Sequence, residues 1–307
     1  MTETDFILRA LPLLSRATVD RAHNLRDDPA ALAAGWAGAR LLEVDYQGKF
    51  PITDDGHLRW AVTSGDVDDS AVLLGIDDVH LWARRVREID GPSTDPRLGA
   101  VNLDADEAGL LATALGMLNW HDTSQFSPSS GVETHSDKGG WIRRDANSGR
   151  EEFPRTDAAI ITVVHDGADR VLLGRQATWP DRWYSTLAGF VEPGESLEQC
   201  VAREVYEEVG ITIHSQRYLG SQPWPFPRSL MCGFAAIGDP DEPLRFLDGE
   251  IGDAHWFHRD EVREALVRGD DWVRVDGTVD DSADGPRLRL PGSISIARTL
   301  IEAWAGI

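Results

Sequence analysis

Residues 189–211 read GFVEPGESLEQCVAREVYEEVGI and hold Glu192, Glu195, Glu198, Glu204, Glu207 and Glu208 against the single Arg203. Pro193-Gly194 spells a turn, Glu195 to Glu198 puts acids where a first helical turn favours them, and Gly210 is a stop signal. The stretch is therefore expected to form a turn, a helix and a second turn. At about 100° per residue, Glu204, Glu207 and Glu208 share an arc of roughly 100°, with Ala202, Val205 and Val209 in the neighbouring arc. One face gathers carboxylates and the next pins the helix to a core. Like charges at i,i+4 repel even when exposed. A solvated acidic face answers that repulsion in one way, and hard divalent cations with oxygen ligands answer it in another. Arg203, four residues before Glu207, can hold that glutamate in place.

The surrounding chain sets bounds. Its 307 residues, 41% hydrophobic and 8% aromatic, suit a globular protein of about two domains. With 52 Asp and Glu against 30 Lys and Arg, the net charge is -22, which opposes general coating of DNA or RNA. A nucleotide end can still enter a local pocket. Cys200 and Cys232 cannot build a disulfide framework or a four-thiolate site, and read as small buried residues. The N-terminus MTETDF is acidic where a signal peptide is basic, and the longest aliphatic run, Ala158 to Val164, is too short to span a bilayer. The expectation is a soluble cytoplasmic protein with no membrane and no DNA partner.

No repeat is present. In the first part Asp5 to Leu14 and Pro29 to Leu42 have helical apolar spacing, and Leu58 to Val62 and Ala71 to Leu74 read as short strands. Asp104 with Glu107 resembles a capping box opening a helix from Ala108 to about Trp120. Between His121 and Glu151 the composition shifts to Ser, Gly and charge, which marks a connector. Ala158 to Val164 and Val171 to Leu173 then form a hairpin about the turn His165 to Asp169. The expected division is a mixed α/β domain at 1–120, a connector at 121–152 and a third segment at 153–307.

The signature spacing is Gly189, five residues, Glu195, seven residues, Arg203-Glu204, an aliphatic, any residue, Glu207-Glu208, any residue, Gly210, an aliphatic. At all nine specified positions this resembles the Nudix hydrolases, which cleave nucleoside diphosphates linked to another group. SQPWPFPRS at 221–229 resembles the mark of the NADH pyrophosphatase branch, whose bacterial members also remove NAD caps from RNA. ALGMLNWH at 114–121 and FSPSSG at 126–131 resemble that branch's central segment. The resemblance covers most of 114–307 and, weakly, the residues before it.

It implies an α/β fold in which an α/β/α sandwich presents Mg²⁺ or Mn²⁺ to a pyrophosphate. Glu204, Glu207 and Glu208 become metal ligands, Glu208 also the carboxylate that handles the attacking water, and Glu250 a further ligand or an ordinary loop acid. Phe190 offers a face on which a base can stack. Phe153, Ile161, Ser229, Met231 and Ala297 align with pocket positions of the branch, with Trp224 beside them in the specificity motif, although helical spacing alone would assign Ala297 to core packing. The implied reaction converts NAD(H) and water to AMP and NMN(H), with NAD-capped RNA as a second substrate and a homodimer as the assembly. A Nudix hydrolase preferring ADP-ribose or another dinucleotide, and a silent nucleotide sensor, are the alternatives. The sequence departs from the branch in one place: typical members hold zinc on four cysteines, and Ser127 and Ser130 stand where the first pair belongs. Hydroxyls do not replace thiolates on zinc. The connector is therefore expected to be a degenerate, cysteine-less ribbon without zinc, held by packing through Trp141, Ile142 and Phe153, with His121 and His135 on its surface. Arg143, Arg144, Arg150 and Arg155 are a basic cluster that either steers RNA or balances nearby acids.

Overall fold

The computed structural model describes residues 6–247, 249–269 and 288–307. Its contacts divide the chain into two units, one of Leu14–Thr156 with Pro223–Ser229, the other of Asp157–Gln222 and Leu230–Ile307 with the leading segment to Leu13. Division by contact thus differs from division by composition. The connector packs with the residues before it, and part of the specificity motif does so as well.

In the first unit, helix α1 (Pro29–Trp36) starts at a proline, where the Asp28 carboxylate accepts the N–H groups of Ala30 and Ala31. It does not run to Leu42 as its spacing suggests. Ala37 is extended, and Arg40 opens strand β1 (Arg40–Asp45), whose Leu41, Leu42 and Val44 are buried. The apolar run holds a helix followed by a strand, and local spacing could not separate them. Strands β2 (Phe50–Pro51), β3 (Ala61–Val62), β4 (Val72–Ile76), β5 (His80–Val86) and β6 (Ser93–Thr94) follow; the sheet order is β3-β1-β5-β4, and β2 pairs with β6. After the short α2 (Pro96–Gly99), the Asp104 carboxylate accepts the Glu107 N–H at 2.9 Å and caps α3 (Ala105–Thr123). The helix expected at Asp5 to Leu14 does not form. Asp5 lies outside the described residues, and the rest is irregular up to a 3₁₀ turn at Leu13–Ser15. Phe6 and Leu8 instead spend their apolar surface on the core of the second unit.

The connector is an antiparallel sheet of β7 (Thr134–Asp137), β8 (Ile142–Asp145) and β9 (Glu151–Glu152). Ser127 Oγ donates to Glu152 Oε1 at 2.8 Å, and Ser130 Oγ donates to the Asp145 carboxylate. Asp145 also accepts the N–H groups of Asn147 and Ser148, at 2.9 and 2.8 Å. Trp141 donates its indole N–H to the Leu73 carbonyl at 2.7 Å with Arg26 stacked on its ring, and Ile142 is buried. Phe153 is 65% exposed and adds no such packing. His121 is also not a surface residue: Nε2 donates to the Gly140 carbonyl at 2.7 Å, which leaves Nδ1 to accept from Arg143 at 2.9 Å. His135 is exposed, as expected.

The second unit contains β10 (Asp157–His165), β11 (Arg170–Gln176), β12 (Leu187–Phe190), α4 (Leu197–Val209), β13 (Ile213–Trp224), β14 (Ser229–Gly238), β15 (Ile251–His258), α5 (Arg259–Arg268) and α6 (Ile296–Ala305). The hairpin is present as β10 and β11, within a sheet of order β13-β14-β10-β11-β15 that also pairs β12 with β10. Alternation sends Ile160, Val164 and Leu172 to one face, against Val201, Val205 and Val209 of α4. Ile161, Val163, Val171 and Leu173 go to the other face, against Val262 and Leu266 of α5 and Leu300 and Trp304 of α6. The result is a helix, sheet, helix sandwich. The three α4 valines are fully buried, each stabilising the docked helix by roughly 1.5–3 kcal/mol relative to exposure.

Candidate active site

Helix α4 is set at both ends. The Ser196 side chain accepts the Gln199 N–H and the Gln199 side chain accepts the Ser196 N–H, a complete capping box. At the other end Gly210 takes φ +74°, and a Cβ there would come within 2.8 Å of Arg245 Cβ. That space belongs to a passing segment whose Arg245 N–H donates to the Val209 carbonyl at 2.9 Å and whose Leu247 N–H donates to the Glu207 carbonyl at 3.2 Å. With the valines facing the core, Glu207 points outward, Glu204 is largely covered and Glu208 is buried at 3% exposed.

Arg203 organises this face. Its Nε and Nη2 donate to both oxygens of Glu195 at 2.8 Å, and its Nη1 donates to Glu204 and Glu207 at 2.9 Å. Nη2 also reaches the Phe190 carbonyl at 2.9 Å, which ties β12 to the helix. The expected Arg203–Glu207 pair is present, but as one arm of a larger fork. The Arg203 guanidinium, helped by the Glu192 N–H, holds the Glu195 carboxyl down at about 2. Burial, reinforced by the negative charges of Glu207 and Glu250, pushes Glu204 up despite its bond to Arg203. Carboxylates are crowded here beyond what one cation neutralises.

The donor set fits a hard divalent cation: every candidate ligand atom is a carboxylate oxygen. Gly189 fits the same purpose, since a Cβ on it would collide with the Glu204 carboxylate. Glu204 and Glu207 are turned onto Arg203, so a cation shares them with the guanidinium. Among the described residues, the His, Asp and Glu groups that close within 4.8 Å of one another are His57, Asp104 and Glu107 instead. That group is a helix cap: Glu107 accepts from Leu58 N–H at 3.0 Å and meets His57 Nδ1 at 2.9 Å while closing the capping box.

The remaining expected residues fall in distinct surroundings. Glu250 is exposed just before β15, and Phe190 closes β12 with its ring 60% exposed, free to stack on a base. Met231 is half-buried on β14, packed against the core that contains Ile161 and Ala297. Ile161 and Ala297, 5% and 1% exposed, are core residues, which agrees with the packing reading of Ala297. Phe153, Trp224 and Ser229 belong by contact to the first unit, where Ser229 is buried and Trp224 packs edge-on against Phe226 at 4.9 Å. The basic cluster is largely spent on neighbours. Arg143 bonds Thr134, Arg144 bonds Asp137 and Glu151, and Arg150 lies 3.9 Å from Glu152. The role of Glu195 as the principal anchor of Arg203 was not read from the sequence, although it is a specified position of the signature.

Comparison with known proteins agrees with this geometry. A family profile described as NUDIX domain matches residues 154–274. NAD-capped RNA hydrolases NudC of Mycobacterium bovis and Mycobacterium tuberculosis are each 50% identical over 98% of this chain and 97% of their own length. NAD-capped RNA hydrolase NUDT12 of Macaca fascicularis is 32% identical over 86% of this chain, which spans 54% of that protein. With the signature helix, its Arg203 fork and these relatives together, the chain belongs to the Nudix family of hydrolases, in the group that includes the NudC and NUDT12 proteins.

Proposed function

We propose that the protein hydrolyses the pyrophosphate bond of NAD(H) to AMP and NMN(H), and removes NAD caps from RNA 5′ ends by the same reaction. The observation that carries this reading is the face of α4, where Glu195, Glu204 and Glu207 divide one guanidinium and Glu208 stands beside them. The names of the relatives supply the substrate class.

Nudix hydrolases depend on divalent cations, and here Glu204, Glu207, Glu208 and Glu250 would hold Mg²⁺ or Mn²⁺. When bound, the ions supply charge neutralisation for the phosphoryl oxygens and a more acidic water. Glu208 orients that water and accepts its proton. The water oxygen adds to one phosphorus while the bridging oxygen leaves with the other phosphate. Arg203 keeps Glu204 and Glu207 from splaying apart, and Phe190 stacks on a base of the dinucleotide. Met231 and Ser229 are the further substrate contacts that the resemblance implies.

The connector is proposed to hold no zinc, since its serine hydroxyls already donate to Glu152 and Asp145. A homodimer follows from the resemblance. A cytoplasmic setting is supported by two free, buried cysteines. Among the described residues no helix is long and apolar enough to cross a membrane.

The test is a panel of NADH, NAD⁺, ADP-ribose, dinucleoside polyphosphates and NAD-capped RNA, assayed with Mg²⁺ or Mn²⁺ and compared by kcat/KM. AMP and NMNH from NADH are the expected products, and their absence would reject the reading. A higher kcat/KM on ADP-ribose would move the enzyme to a different Nudix specificity.

A further inference from the structure

The specificity motif is split. Ser221 and Gln222 stay in the sheet unit, with Gln222 Nε2 donating to the Ile294 carbonyl at 2.9 Å, whereas Pro223–Ser229 belongs by contact to the first unit. Within the first unit a side chain on α3, Asn119, bonds that loop. Asn119 Nδ2 donates to the Pro225 carbonyl at 2.9 Å and to the Pro227 carbonyl at 2.8 Å, the two carbonyls that flank Phe226. The loop backbone turns around that point, with Phe226 N–H bonded to the Trp224 carbonyl at 2.8 Å, and Arg97 stacks on the Phe226 ring with 4.9 Å to its centroid. One turn earlier on the same helix, Gly116 also faces the loop: a Cβ there would meet Pro225 Cβ at an ordinary contact distance of 4.0 Å.

The amide cannot turn around. Arg85 Nη2 donates to Asn119 Oδ1, and a guanidinium has no acceptor, so the oxygen must face Arg85 and the NH₂ must face the two carbonyls. Arg85 is itself held on both sides, donating from Nε to Asp122 at 2.8 Å and from Nη1 to the Asp45 carbonyl at 2.7 Å. Its side chain is only 9% exposed. A chain of bonds thus runs from β1 through Arg85 and Asn119 to the loop.

We propose that Asn119, oriented by Arg85, is a positioning residue for the loop 223–229 and through it for dinucleotide binding. The loop carries Trp224 and Ser229, so its path sets where both stand. The inference rests on the NAD(H) reading of the function for its substrate.

The decisive variant is Asn119→Asp. It keeps the size of the side chain and its bond to Arg85 but removes both donors and turns an anion towards two carbonyls. The KM for NADH is expected to rise about tenfold with kcat within about twofold of wild type, because two hydrogen bonds that order the loop are lost. Half-saturation by Mn²⁺ should stay at the wild-type value, since α4 is untouched. Tryptic cleavage after Arg228, followed by mass spectrometry without substrate, should accelerate about tenfold as the loop opens more often. Asn119→Ala, favourable in a helix, should show the same two changes and controls for the added charge. An unchanged KM, or unchanged protection at Arg228, overturns the proposal. Wild-type protein inert towards NADH would reject the functional reading instead, and the protease comparison would still judge the positioning.

Discussion

Two acidic regions of this molecule solve charge repulsion differently. In the connector the carboxylates draw on several different donors: Asp137 and Glu151 share Arg144, Glu151 also faces Lys138, Glu152 takes Ser127, and Asp145 takes Ser130 and two backbone N–H groups. At α4, Glu195 of the preceding loop divides the single Arg203 with Glu204 and Glu207, and Glu250 adds its charge to the crowding of Glu204. The first arrangement spreads its charge over Arg144, Lys138, serine hydroxyls and backbone N–H groups. The second leaves surplus negative charge facing outward, which is the state a metal-dependent site needs before its ions arrive.

Chelation tests that contrast most severely. Removing divalent cations with EDTA is expected to reduce NADH hydrolysis to background and to leave the thermal midpoint of the protein, purified without added divalent salt, unchanged. A fall in the midpoint, or stoichiometric zinc by elemental analysis, would show that the connector is not self-sufficient. Next in size is Glu208→Gln, which keeps the shape of the side chain and removes its basicity. The expected loss is about 10²–10⁴-fold in kcat, the usual contribution of a positioned general base. Near wild-type turnover would transfer that role to another glutamate.

The same contrast explains what could be read in advance. The turn, helix and stop of residues 189–211 were legible because cap, apolar stripe and terminal glycine all agree locally, and the capping box at Asp104 was legible for the same reason. Pro29 to Leu42 misled because alanines and leucines keep helical spacing across a break that only the burial of β1 reveals. Asp5 to Leu14 misled because its apolar residues pack far along the chain, the Phe6 carbonyl accepting from Arg217 and Leu8 closing on Gly220. At the site, the acids were legible from spacing, but the Glu195–Arg203 fork joins residues eight apart through side-chain length. Asn119 was invisible, since nothing in ALGMLNWH announces that one amide faces carbonyls more than a hundred positions away. Packing gave Trp141 and Ile142 correctly as supports of the connector, while exposed Phe153 shows that aromatic content alone does not say which ring is used.

The smallest expected effect concerns Asp145, and it probes the self-sufficient side of the comparison. The Ser130 hydroxyl first, then the Ser148 and Asn147 N–H groups, hold its carboxyl down at about 2 against an ordinary 3.8. A carboxylate whose folded pKa is depressed stabilises the folded state above its unfolded pKa and loses that contribution as pH falls through the folded value. Asp145→Asn keeps an oxygen for the two N–H groups and lets the Ser130 hydroxyl turn to accept, so the charge is what it removes. The variant should unfold at lower urea than wild type at pH 7 and by the same margin at pH 5. The margin should shrink between about pH 4 and pH 2, where wild-type Asp145 itself takes up a proton. Turnover at pH 7 and moderate temperature should be unchanged, because no site acid is touched. A margin constant down to pH 2 would mean that shape rather than charge holds the connector. It would then resemble an ordinary packed turn more than a substitute for a bound cation.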